Sequence, residues 1–209
     1  HSHEAVCGTQ FGHVRRARHT NTSWDVARFE VCAHRYVAVA EPRFGVAVMA
    51  DGPRGYDVRN DALQLTVMRS PRFPDPEADR GRQHIEWAIR PLDSLADVAL
   101  LEEEAETLAH PPRAVTGSPA LPNNVVSWNV PGVLMSALKP ADDGSGDIII
   151  RAWETTGGRR SGSFSLAGTR SAVPCDALED PVAPALDRSD NGYGITLDAF
   201  EIVTLRLKH

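Results

Sequence analysis

Three histidines near the start, His13, His19 and His34, are the first side chains here that could hold a metal or move a proton. Zinc needs three or four nitrogen, sulfur or carboxylate donors at one point, and short ligand spacings are how a sequence declares them. No cysteine or carboxylate stands at such a spacing from these three. They read as hydrogen-bonding residues of a surface or domain joint, with His13 and His19 in a loop and His34 on a strand. The cysteines, Cys7, Cys32 and Cys175, are odd in number and widely spaced. That pattern builds neither a disulfide framework nor a zinc ribbon, and it points to a reducing, cytoplasmic home.

Covalent chemistry is no better provided for. The sequence has no nucleophile elbow and no phosphate-cradling loop. Its acidic residues fall largely in turns and on one helical stretch. No pair stands out as the general acid and nucleophile that glycoside hydrolysis requires. Trp24, Trp87, Trp128 and Trp153 have faces that match the C–H face of a pyranose, but tryptophans on sandwich strands belong more often to the core. The segment Asp79-Arg80-Gly81-Arg82 is more suggestive. It follows a proline-rich stretch and precedes a strand, so it falls at a sheet end. An arginine there offers planar donors to hydroxyls or to a carboxylate. On the residues alone, the plainer reading is a surface arginine paired with Asp79 or Glu77.

The elements that must position these residues read mostly as strands. Phe29 to Val37 alternates, with Phe29, Val31, Ala33 and Val37 on one side. Gly45 to Ala50 is a short, wholly apolar run suited to a central strand. Ala62 to Arg69 and Arg82 to Ile89 alternate again, the latter aligning Ile85, Trp87 and Ile89. Ser70 to Pro76 between them is too rich in proline for helix or central strand. Leu92 to His110 breaks the pattern. Leu92, Leu95, Val98, Leu101, Ala105 and Leu108 recur at helical spacing, Ser94 with Asp97 resembles a capping box, and Pro111-Pro112 would stop the helix. Glu102-Glu103-Glu104 reads as its solvated face. Beyond a proline-rich joint at 111–122, strands are expected over 125–130, 133–139, 147–153, 161–166, 193–197 and 200–207. Asp142 to Gly146 and Gly157-Gly158 supply turns. The expectation is an all-β chain, an antiparallel β-sandwich with one helical insertion near 92–110, forming one region over 1–209 with a sub-boundary near 111–122.

The 209 residues suffice for a real core. A formal charge of -6 argues against a nucleic-acid partner, and no apolar run reaches membrane-spanning length. The opening His-Ser-His, without an initiator methionine, suggests a processed end or a fragment.

Several stretches resemble the bacterial and cytosolic-type α-mannosidases of glycoside hydrolase family 38. They are Gln10 to His13, HTNTSWDVARFEVCAHRYV from His19 to Val37, RSPRFPDPEADRGR from Arg69 to Arg82, Ser136 to Gly144, Ile150-Arg151-Ala152-Trp153-Glu154, and the last strand, Phe200 to Leu207. They run in order along nearly the whole chain. The resemblance implies a part: the C-terminal β-sandwich portion, related to galactose-mutarotase-like folds, of a retaining enzyme several times longer. The family's catalytic zinc and aspartate nucleophile would lie in a preceding barrel, and this chain would carry no cofactor. It implies the catalytic domain of the same polypeptide as partner and a mannoside as substrate, and leaves open whether the parent is a homo-oligomer. In related enzymes an acidic-Arg-Gly loop reaches the sugar site. Asp79-Arg80-Gly81 resembles it, which makes Arg80 and Asp79 substrate-binding candidates. Where relatives carry N-D-C-K-Y-G, this chain reads Ala50-Asp51-Gly52-Pro53-Arg54-Gly55. Asp51 remains as a third candidate in a loop whose contact is altered. The competing readings are an independent carbohydrate-binding module and a purely structural or oligomer-forming sandwich.

Overall fold

The computed structural model describes residues 3–59, 62–94, 98–114, 116–117 and 126–208. The chain forms two compact units, His1–Arg113 and Ala114–His209. The described part of the first carries, in chain order, strands β1 (Glu4–Thr9), β2 (Gly12–Ala17), β3 (Val31–Cys32), β4 (Tyr36–Glu41), β5 (Phe44–Asp51), β6 (Gly55–Asp57), β7 (Gln64–Thr66) and β8 (Glu86–Leu92). Helix α1 (Ser23–Ala27) precedes β3, and helix α2 (Val98–Ala109) follows β8.

A five-stranded antiparallel sheet, in the order β2-β1-β4-β5-β8, is the central layer. Helix α2 covers one face. Its Val98, Leu101 and Ala105 pack on Val6, Ala38, Ala47 and Met49. The small sheet β3-β6-β7 serves the other face, where Tyr56 and Val58 meet Ala5, Cys7 and Val37. Apolar side chains are therefore needed on both sides of β4 and β5, which is why those strands read as unbroken apolar runs.

Four expectations need correction here. The alternation over 29–37 does not make one strand. β3 ends at Cys32, the chain bends through His34, and Arg35 adopts a left-handed φ of 75° before β4 begins. His34 thus lies on a bend, anchored where its N–H donates to the Gly8 carbonyl at 2.7 Å. His13 lies on β2, not in a loop. Trp87 and Ile89 do align on one face, as expected; they pair with Ala50 and Val48, away from the α2 side, and are exposed. Finally, Glu102 is not solvated. Positions 98, 101, 102 and 105 share one face of a 3.6-residue helix, and Glu102 is buried with the other three. Glu103 is exposed, and Glu104 pairs with Arg90 at 2.9 Å. Leu95 and Asp97 of the proposed helix start lie outside the described residues.

The second unit is a β-sandwich. Its described strands are β9 (Val126–Asn129), β10 (Val133–Pro140), β11 (Ile148–Glu154), β12 (Arg160–Leu166), β13 (Ser171–Cys175), β14 (Arg188–Ser189), β15 (Gly192–Leu197) and β16 (Ile202–Lys208). They form two sheets, β10-β11-β16-β13 and β14-β15-β12-β9. Ile150, Leu205 and Leu207 of the first pack against Phe164 and Tyr193 of the second. The hairpin of β10 and β11 turns at Asp142 to Gly146, with Gly144 and Gly146 at positive φ, as the turn residues predict. The described residues are all-β apart from the two helices.

Candidate functional site

The proline-rich segment after β7 folds into a self-contained loop. The Asp79 carboxylate accepts from the Ser70 N–H at 2.7 Å, which ties its two ends together. Inside it, Asp75 accepts from the Glu77 N–H at 2.9 Å, and the Arg80 N–H donates to the Glu77 carbonyl at 3.1 Å. Gly81 follows at φ 92°, a left-handed turn that glycine makes without strain. The Arg80 side chain is 71% exposed, and its guanidinium pairs with Glu77 at 2.7 Å. The plainer sequence reading is thus present: Arg80 pairs with Glu77, while Asp79 holds the loop.

Asp79 and Arg80 share a depression of ≈ 500 Å³ with Ser70, Pro71, Arg72 and Pro76. Asp79 also lines a larger cleft of ≈ 590 Å³, together with Glu30, Arg54, Thr66, Arg69 and Gln83 among others. In that cleft Glu30 accepts from the Thr66 hydroxyl at 2.8 Å and pairs with Arg69 at 3.2 Å. Both carboxylates therefore already serve fixed donors. Such a lining can orient hydroxyl groups, but nothing in it is arranged as an acid facing a nucleophile. Asp51 is exposed at the end of β5 and lines a separate, small depression of ≈ 120 Å³ with His34, Arg35 and His110. The structure brings Asp79 and Arg80 together and leaves Asp51 apart. Arg54 lines both the Asp51 depression and the larger cleft.

Of the cysteines, Cys32 is exposed and lines the larger cleft, while Cys7 and Cys175 are buried. Burial pushes the Cys7 thiol up to about 11, although Arg16 beside it pulls the other way. A thiol held that high is not a nucleophile at neutral pH. Among the described residues no group of three histidines, cysteines or carboxylates could hold a metal ion.

Comparison with known proteins supplies the family. The model for the glycosyl hydrolases family 38 C-terminal domain matches residues 1–77. That for the glycosyl hydrolases family 38 C-terminal beta sandwich domain matches residues 132–205. The chain belongs to the C-terminal region of glycosyl hydrolase family 38. Alpha-mannosidase 2C1 of Homo sapiens is 33% identical over 213 residues, covering 99% of this chain and 20% of its own length. An alpha-mannosidase of Saccharomyces cerevisiae is 32% identical over 233 residues, covering 95% of this chain and 20% of its own. The crystal structure of an alpha-mannosidase from Enterococcus faecalis V583 has the same fold over 99% of this chain and 24% of its own, with a TM-score of 0.78 at 16% identity. The chain spans about a fifth of the length of the curated relatives it matches.

Within this family 38 region, the matched polar residues of the second unit build structure. The Glu154 carboxylate is fully buried. It accepts from the backbone N–H groups of Gly157 at 2.7 Å, Thr156 at 2.8 Å and Phe200 at 3.1 Å. Burial alone would raise its pKa, but these bonds and the Thr156 hydroxyl outweigh that and hold it low. Lys139 bridges Asp142 and Glu179 at 2.7 and 2.5 Å. Arg151 donates to Thr204 and to the Ala177 carbonyl. Of the tryptophans, Trp153 is buried, Trp128 packs on Phe164 at 5.5 Å, and Trp24 and Trp87 stand exposed.

Proposed function

We propose that this chain acts as the non-catalytic C-terminal part of a longer, retaining α-mannosidase of the cytoplasm. In this reading it packs on the catalytic domain, which holds the zinc and the nucleophile, and lends the loop of residues 70–82 to the rim of the mannoside site. Arg80 donates to sugar hydroxyls, Asp79 keeps the loop closed, and Asp51 contributes from the neighbouring depression.

The observation that carries this reading is the match, over nearly its full length, to about a fifth of enzymes named alpha-mannosidase, in models described as C-terminal domains of the family. The closed loop supports it further. Its backbone is fixed by Asp79 and its prolines, so little ordering cost remains when Arg80 meets a ligand. The Arg80–Glu77 pair is no obstacle. An exposed ion pair contributes only about 0–1 kcal/mol, so substrate hydroxyls can take the place of Glu77.

The experiment is kcat/KM for an aryl α-mannoside with Arg80→Ala and, separately, Glu77→Ala in the longer polypeptide. Loss of one charged hydrogen bond costs roughly 1.5–3 kcal/mol, so Arg80→Ala should lower kcat/KM about ten- to a hundredfold. Glu77→Ala should change it little. Equal effects of the two, or a loss of thermal stability alone with Arg80→Ala, would make Arg80 a structural ion-pair residue.

A second reading rests on exposed Trp24 and Trp87, at 76% and 57%. Aromatic faces this open suit an independent carbohydrate-binding module. Binding of mannose oligosaccharides by the isolated chain, lost with either tryptophan, would favour it.

A further inference from the structure

We propose that the segment Thr22–Phe29 is a preformed docking element whose occupant is the catalytic part of the longer polypeptide. That part would present an apolar surface to Trp24, Val26 and Phe29, and a carboxylate to the arginine-lined depression beside them. The inference rests on the accessory-part reading above.

Helix α1 is the first observation. Five residues are far too few for a stable helix in water, and a short helix normally survives by burying one face. None of the residues of α1 is buried. Polar bonds hold it instead. The Asp25 N–H donates to the Thr22 hydroxyl at 3.2 Å, and the Thr22 N–H returns a bond to the Asp25 carboxylate at 3.0 Å. His19 lies 3.3 Å from the same carboxylate, and the Arg28 N–H donates to the carbonyls of Trp24 and Asp25. A doubly fastened turn thus displays its apolar residues outward: Trp24, Val26 and Phe29 are 76%, 51% and 50% exposed. Large apolar groups clustered in one short segment mark an interaction surface.

The second observation is charge. Arg15, Arg16, Arg18, Arg28 and Arg59, with His19, line a depression of ≈ 170 Å³ that Asp25 also borders. Arg59 joins this cationic floor to the apolar residues, its guanidinium lying 5.4 Å from the centre of the Phe29 ring. Asp57 and Glu4 offset Arg59 and Arg15, which leaves a local excess of positive charge on a chain whose formal charge is -6. The complementary surface is apolar with an acidic side chain at its edge, and guanidinium forks match a carboxylate well. The relatives supply the occupant, because four-fifths of their length lies outside the part matched here. Within one chain such a surface is present at high effective concentration.

Hydroxyl-radical footprinting read by mass spectrometry, on the 209-residue chain and on the longer polypeptide, tests this. Trp24 should be oxidised about tenfold more slowly in the longer polypeptide than in the chain alone, as burial in an interface core requires. The double variant W24A/R28E should leave the thermal midpoint of the chain alone unchanged and lower that of the longer polypeptide. Equal oxidation of Trp24 in the two would overturn the proposal. So would protection of Trp24 in the chain alone, whether by raising its concentration, which points to a second copy, or by adding mannose oligosaccharide. If Trp87 is protected in the longer polypeptide while Trp24 is not, only this inference fails. If no residue is protected, the accessory-part reading fails with it.

Discussion

Glu102 sets a sharp condition on the first unit. It is 3% exposed, and its carboxylate accepts from the Tyr36 hydroxyl at 2.8 Å. Burial pushes its pKa up to about 7, while the Tyr36 bond and the nearby Arg35 charge pull it down without prevailing. In the unfolded chain the group returns to the ordinary 4.5. Between those two values the folded chain keeps a proton that the unfolded chain has lost. Stability is therefore full below pH 4.5, falls as pH rises through the folded value, and is flat above it. The gap corresponds to about 3 kcal/mol between the ends of that window. Glu102→Gln keeps an acceptor for Tyr36 and removes the charge. At pH 8 it should stabilise the first unit by about 2–3 kcal/mol, and near pH 4.5 it should match wild type within about 0.5 kcal/mol. Urea midpoints between pH 4.5 and 8.5, read from amide exchange in β4 and α2, give the comparison. A difference that does not change with pH, or a wild type more stable than Glu102→Gln at pH 8, would refute the reasoning. Arg35 would then hold Glu102 charged at no net cost.

Glu154→Ala should destabilise the second unit by about 2–3 kcal/mol, because three backbone N–H groups lose the buried carboxylate they donate to; a loss under about 1 kcal/mol in urea titration would show that water replaces the carboxylate. Metal analysis of tag-free chain should find far less than about one zinc per chain, since the described residues offer no ligand set. A stoichiometric content would mean that ligands were misjudged or come from the undescribed residues.

Much of the second unit was legible because local signals agreed. Alternating strands met glycine-rich turns at Asp142 to Gly146 and at Gly157-Gly158, and β10, β11 and β12 formed between them. In the first unit distant packing overrode local pattern. The strand predicted over 29–37 breaks after Cys32, and the bend through His34 and Arg35 brings Tyr36 against α2. Glu102 shows two sequence rules in conflict. Its helical phase with Val98, Leu101 and Ala105 places it inward, and its charge argues outward. Tyr36, sixty-six residues away, settles the matter, and no local window contains it. The site was legible in the same uneven way. Proline spacing located the loop of Asp79 and Arg80, but nothing local kept Asp51 apart from it. The arginine-lined depression was not visible at all. It gathers β2, the stretch around α1, and Arg59 beyond β6, segments that only the fold brings together.

In the proposed function this chain serves an α-mannosidase without being one. Initial rates of aryl α-mannoside hydrolysis, measured in one zinc-supplemented buffer, test it most directly. The samples are the purified 209-residue chain and the longer polypeptide that the proposed function calls for. Turnover by the longer polypeptide is expected, with a rate for the chain alone that equals the blank. Hydrolysis by the chain alone, clearly above the blank, would contradict it.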